Sequence, residues 1–281
     1  MSGPPAFASV GVVEPPPPPP AAESFDRSAQ VYDGHVAVNR AGARRLVASV
    51  PDGRYPRLLD VGCGTGFASL EAIPRLGVER VVGVDASASM LDVFRERLRA
   101  FPGVRAELQA SDVLHMRVED AGADLVLCTM ALHWFTERAA AVERMARAIA
   151  PGGVLGILAP GPAHDRETVA LVRATGDPIL VRLADSIEDN EIDPDALIDH
   201  LEAAGLAPED VWTETRHRVT TPAAYGARME AVASHLWSDL PADEQASVLA
   251  RMSALFGSAT DDDGAYRYRF VKTFAIARRG R

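Results

Sequence analysis

The sequence predicts an α/β fold: a doubly wound sheet of seven strands with a helical cap. Three observations predict it. Between Arg57 and Ala159, short apolar runs alternate with segments of helical periodicity. The first run leads into Asp60-Val61-Gly62-Cys63-Gly64-Thr65-Gly66, a glycine loop that opens a helix. Near the end, Tyr266, Tyr268, Phe270, Phe274 and Ile276 alternate with Arg267, Arg269, Val271, Thr273 and Ala275, a strand pattern with Lys272 as the one break on its apolar face.

Taken in order, residues 1–23 are rich in Pro, Ala and Gly and include Pro15–Pro20. Such a run favours extended polyproline II and joins no core, so a disordered tail is expected there. The domain is expected over 24–281, with cap helices at about 24–48 and 222–256. Ser24 is an N-cap candidate, and Val36, Val38, Leu46 and Val47 recur at helical spacing. The alternation then predicts strand Arg57–Val61, helix Gly66–Arg75, strand Arg80–Asp85 and helix Ser87–Phe101. It continues through strands Val104–Ala110 and Asp124–Thr129, helix Thr136–Ala150 and strand Val154–Ala159. Non-alternating apolar strands between helices imply a parallel sheet covered on both faces. Beyond Pro160, helices are expected at His164–Thr175 and Asp195–Ala204, an acidic irregular stretch at Asp185–Asp195, and a strand at Val211–Val219.

Composition narrows the function. With 39 acidic against 29 basic residues, the net charge is −10, which disfavours nucleic acid as a partner because phosphate binding needs a basic face. No apolar run approaches the ~20 residues needed to cross a bilayer. Residues 1–24 lack a basic n-region, and Cys63 and Cys128 make no disulfide framework. A cytoplasmic protein is expected, with no membrane partner and an open oligomeric state.

The glycine spacing separates two chemistries. A dinucleotide site takes G-x-G-x-x-G, with a pyrophosphate at the helix N-terminus. Here the third glycine comes one residue early, at Gly66, and Phe67 stands where that motif has glycine. Asp85 ends the second strand, where a carboxylate can accept both ribose hydroxyls of an adenosine. Asp112 follows the third strand in Ser111-Asp112-Val113. Thr129, at the carboxyl end of the fourth strand, must border the ligand crevice beside the first. Cys63 and Cys128 end neighbouring strands and are read as small buried apolar side chains that lie close together beside the crevice.

D-x-G-x-G-x-G, Asp85, Asp112 and the Ala131-Leu132-His133-Trp134-Phe135 string together resemble the class I S-adenosylmethionine (SAM) methyltransferases over residues 57–159. Phe25-Asp26-Arg27-Ser28-Ala29-Gln30-Val31-Tyr32-Asp33 resembles the small-molecule branch that contains malonyl-carrier-protein O-methyltransferase and trans-aconitate methyltransferase. The resemblance implies a Rossmann-like methyltransferase sheet and SAM as cofactor, with S-adenosylhomocysteine as product. It places the methionine end on Asp60, Gly62, Cys63, Gly64 and Gly66. Asp85 then takes the ribose hydroxyls, Asp112 and the Val113 backbone N–H the adenine, and Ala86, Met90, Ser111 and Thr129 are further cofactor contacts.

For catalysis it points to His133, as a base or as an orienting residue beside Trp134, and to Tyr32, on the methionine end or as a core aromatic. Tyr225, Arg228, His235 and Trp237 are candidates for an acceptor pocket under the cap. Asp261-Asp262-Asp263 is read as a solvated turn, and no metal is expected. The expected activity is methyl transfer to a small molecule, with O-methylation of a carboxyl or hydroxyl ahead of C- or N-methylation. An NAD-linked oxidoreductase and a non-catalytic SAM-binding regulator or partner subunit are the alternatives.

Overall fold

The strands β1 (Arg57–Val61) and β4 (Ala123–Thr129) lie side by side and parallel at the centre of one seven-stranded sheet. This computed structural model describes residues 25, 26, 29, 37–118, 120 and 122–281. The tail expected over 1–23 and Tyr32 lie outside the described residues. Around the central pair come α1 (Ala37–Ser49), α2 (Phe67–Leu76), β2 (Arg80–Asp85), α3 (Ala88–Leu98) and β3 (Arg105–Ala110). After β4 follow α4 (Arg138–Ala148), β5 (Ile149–Pro160), α5 (Arg166–Ala174), α6 (Val181–Asp189), α7 (Pro194–Ala203) and β6 (Leu206–Thr220). The chain ends with α8 (Pro222–Ala233), α9 (Ala242–Ser258) and β7 (Tyr266–Arg279).

The strand order is β3-β2-β1-β4-β5-β7-β6. Connections therefore leave β1 toward β2 on one side and later toward β4 on the other, so a crevice opens at the carboxyl ends of β1 and β4. The sheet is not wholly parallel, because β7 runs antiparallel to both β5 and β6. Alternating strand side chains feed two cores. Leu58, Leu125, Leu127 and Leu158 meet Leu46, Val47, Ala72 and Phe94 on one face. Leu59, Val126, Leu155 and Ile157 meet Val142, Met145, Leu197 and Leu201 on the other.

Two segments differ from the sequence expectation. The described helix of the 24–48 region, α1, packs Ala43, Leu46 and Val47 onto a sheet face, since its apolar stripe fits the groove beside α2. Of its residues, Asn39 and Ala43 line the crevice. Part of the acidic stretch 185–195 is helical: α6 buries Leu183 and Ala184, and this apolar edge outweighs the local charge.

A third core sits beyond the carboxyl end of the sheet. Pro160, the last residue of β5, pairs with Lys272, so Tyr266–Val271 extend past it with only β6 alongside. Tyr266, Tyr268 and Phe270 pack there against Val169, Leu183, Met229, Trp237, Val248 and Phe256. The helices α5, α6, α8 and α9 thus gather above the crevice. Local signals start them where they start: Thr221 Oγ1 accepts from Ala224 N at 3.2 Å ahead of Pro222, and Asp193 Oδ1 caps α7 ahead of Pro194.

Candidate active site

The glycine loop is held from below and behind. Asp60 is fully buried, and its Oδ2 accepts from the Ser69 backbone N–H at 3.2 Å and the Ser69 hydroxyl at 2.6 Å, pinning the first turn of α2. Burial, with a smaller contribution from Asp85, raises its pKa to about 7. Gly62 and Cys63 donate to Val84 O at 2.8 and 3.0 Å, tying the loop to the end of β2. Gly66 has φ 87°, and a Cβ there would stand 2.1 Å from Phe94 Cδ2, so no larger residue fits. Gly64 has φ 50°, and a Cβ there would meet nothing within 4 Å, because the space ahead of it is open.

That space is a cavity of about 650 Å³, within the size range of small-molecule and cofactor sites. Gly62, Cys63 and Gly64 form one wall, Asp85, Ala86 and Met90 the next, Ser111, Asp112 and Val113 a third, and Thr129 lies at the end of β4. Among the residues expected to hold a cofactor, Asp60 and Gly66 stand back from the cavity and support the loop. Asp85 accepts from Gly64 N at 2.7 Å and from Ser87 N at 2.9 Å, and burial raises its pKa. Asp112 Oδ1 accepts from Leu114 N at 2.8 Å, capping the short turn Val113–His115. An adenosine-sized ligand with no phosphate fits this donor set, since the walls offer carboxylates and small side chains and no described Lys or Arg.

Phe25 lines the cavity, and Asp26 is tied down beside it. Ser87 Oγ donates to Asp26 Oδ1 at 2.6 Å, and the Phe25 ring meets Trp134 edge-on at 5.6 Å. Cys63 lines the cavity, while Cys128 is buried in the core on the opposite sheet face, so the two thiols do not sit together beside the ligand. Burial pushes both thiol pKa values up, which keeps them protonated.

A second cavity of about 90 Å³ lies under α8, and Phe25, Asn39, Met130 and Trp134 line both. Met130 has φ 53°, an uncommon conformation for a residue with a side chain, at the end of β4. His133 faces this smaller cavity. Burial, then the nearby His164 and Arg138, lowers its pKa to about 3, and its Nδ1 has no hydrogen-bond partner among the described residues. His164 is lowered to about 4, chiefly by burial, and its Nδ1 lies 2.8 Å from Val271 O.

Arg228 reaches the same cavity from α8. Its Nη1 donates to Asp165 Oδ2 at 3.2 Å, and its guanidinium lies 5.1–5.6 Å from the rings of Phe270, Tyr225 and Tyr268. Burial works most strongly against its charge, but Asp165, Tyr225 and Tyr268 together outweigh it and hold the pKa above the ordinary value. Thr168 Oγ1 joins Asp165, Tyr225 and Tyr266 at 3.2, 2.7 and 2.8 Å. Of the other acceptor-pocket candidates, Tyr225 and Trp237 are buried in the third core, and the His235 ring packs on Trp134 at 5.5 Å. Asp261 and Asp263 pair with Arg267 in the turn before β7. Asn39, Met130 and Asp165 escaped the sequence reading, because no local pattern marks them.

Residues 58–153 match a family model described as a methyltransferase domain. Trans-aconitate 2-methyltransferase of Variovorax paradoxus is 32% identical over 246 residues, covering 84% of this chain and 92% of that protein. Malonyl-[acyl-carrier protein] O-methyltransferase of Dechloromonas aromatica is 35% identical over 145 residues, and this chain spans about half of that relative, 52%. Among solved structures, one from Bacillus halodurans described as that of a methyltransferase aligns with a TM-score of 0.61 at 20% identity, covering 86% of this chain and 100% of that one. Phosphoethanolamine N-methyltransferase 2 of Haemonchus contortus, in complex with S-adenosyl-L-methionine, aligns at 0.58 and 19%, covering 91% of this chain and 57% of that one.

Proposed function

This chain belongs to the class I SAM-dependent methyltransferases, and we propose that within that family it methylates a carboxylate of a small organic acid. The observation that carries the reading is the position of Arg228: a buried, charged guanidinium in a small cavity that shares a wall with the larger one. The two relatives are named for trans-aconitate and for malonyl-acyl-carrier protein, both of which present carboxylates.

The larger cavity takes SAM. Asp85 receives the ribose hydroxyls, Ser111, Asp112 and the Val113 backbone border the adenine, and Gly62–Gly64 cradle the methionine end. When bound, SAM supplies a methyl group on a sulfonium, which a carboxylate oxygen can accept without losing a proton. No general base is then required. That agrees with His133, which stays neutral with a pKa of about 3 and suits orienting the acceptor rather than deprotonating it. A hydroxyl acceptor would need a stronger base than this.

The smaller cavity has room for on the order of six to nine water-sized groups, which favours a compact acid. Arg228, steadied by Asp165, binds carboxylate by charge-assisted hydrogen bonds. The helices α5, α6, α8 and α9 form the cap that keeps water from the reacting groups. The test is a panel of small di- and tricarboxylic acids with their matched alcohols and amides, assayed for methyl incorporation. Acceptance of acids alone is expected; acceptance of alcohols or amides in preference to acids overturns the reading.

A further inference from the structure

A methyl group passing from the larger cavity to the smaller must cross the boundary formed by Phe25, Asn39, Met130 and Trp134. Of these four side chains, only Asn39 carries an oxygen. That oxygen, Oδ1, is buried and has no hydrogen-bond partner among the described residues. A dry, unpartnered amide oxygen is unfavourable, and one that persists at a ligand junction marks a contact the ligand completes. The backbone that carries Asn39 is fixed. It sits in the first turn of α1, which Ala43, Leu46 and Val47 anchor on the sheet.

We propose that Asn39 is a positioning residue for the methyl donor, its carboxamide oxygen facing the sulfonium centre. This rests on the assignment of the larger cavity to SAM. An amide oxygen is the negative end of a dipole, and a sulfonium is a cation whose C–H bonds are polarised, so the two attract in a water-poor site. The other three boundary side chains are apolar and offer the cation no comparable oxygen. After transfer the sulfur is a neutral thioether, and the attraction is gone. Asn39 therefore favours SAM over S-adenosylhomocysteine and helps the product leave.

Calorimetry with SAM and with S-adenosylhomocysteine, each titrated into the full chain and its variants, tests this without relying on turnover. Asn39→Leu keeps the volume and removes the dipole. It should weaken SAM about fivefold to tenfold while changing S-adenosylhomocysteine by less than about twofold. Asn39→Asp is the second variant, and its negative charge should widen the preference for SAM. Equal losses for the two ligands would overturn the proposal and place the oxygen on the amino-acid end they share. No change in either ligand would overturn it as well. Failure of the wild-type chain to bind S-adenosylhomocysteine would instead overturn the assignment of the larger cavity, and the role of Asn39 with it.

Discussion

Asp85 reaches across the chain to Gly64: its Oδ2 accepts the Gly64 N–H at 2.7 Å, while its Oδ1 accepts from Ser87 N. The end of β2 thereby ties down the glycine loop beside the larger cavity, which the same residue lines. Asp85→Ala removes charge-assisted hydrogen bonds worth roughly 2–4 kcal/mol to the complex. S-adenosylhomocysteine should bind at least about tenfold more weakly, with the folded chain retained by circular dichroism. Unchanged affinity by calorimetry would contradict the ribose assignment.

The two loop glycines should fail differently when enlarged. Gly66→Ala meets both a left-handed backbone and Phe94, and should cost about 3 kcal/mol or more of stability. Gly64→Ala carries only the backbone strain, about 1–2 kcal/mol, but points its methyl into the cavity. Urea unfolding should show the larger loss for Gly66→Ala, and calorimetry should show lost cofactor affinity in a still-folded Gly64→Ala. The reverse order would mean that the loop geometry is misassigned.

Arg228→Met keeps an unbranched stem among Tyr225, Tyr268 and Phe270 but removes the cation. It should raise KM for the acid by at least about tenfold and leave the affinity for S-adenosylhomocysteine within about twofold. A variant that loses cofactor affinity while keeping KM would place Arg228 outside the acceptor site.

Burial holds His133 at about 3 and His164 at about 4, below the ordinary 6.5. Both are neutral in the folded chain at pH 6, so neither should give kcat/KM an inflection between pH 6 and 8.5. An inflection near 6.5 that disappears in His133→Asn would show base catalysis. For stability the unfolded chain binds the extra protons, so stability is present above 6.5 and falls as pH drops from 6.5 toward 4. Lys272 is lowered from 10.5 to about 7, chiefly by burial, so by the same rule its contribution rises from pH 7 to 10.5. Thermal unfolding across these ranges should flatten in His164→Asn and in Lys272→Met, respectively.

Most of the larger cavity was legible in the sequence because most of its walls are local: the glycine loop, three strand ends and the turns after them lie within residues 57–135, while Phe25, Asn39 and Ala43 come from outside. At Asp60 the carboxylate holds Ser69 under the loop, a supporting role that stands beside the ligand contact its motif implies. A D-x-G pattern cannot distinguish those roles. The smaller cavity was legible only at Arg228 and His133, because Asn39 and Asp165 carry no local pattern and reach it only through packing. Strand direction was hidden as well, since the alternation in Tyr266–Ile276 reads the same in either orientation.

A carboxylate that accepts the methyl group becomes a methyl ester, and the lability of that product distinguishes it from every other acceptor. The chain is incubated with methyl-labelled SAM and a small polycarboxylic acid, and the product is then treated with mild alkali. A methyl ester releases its label as methanol, the expected result. Label that survives alkali, as an ether, an N-methyl or a C-methyl group would, contradicts it.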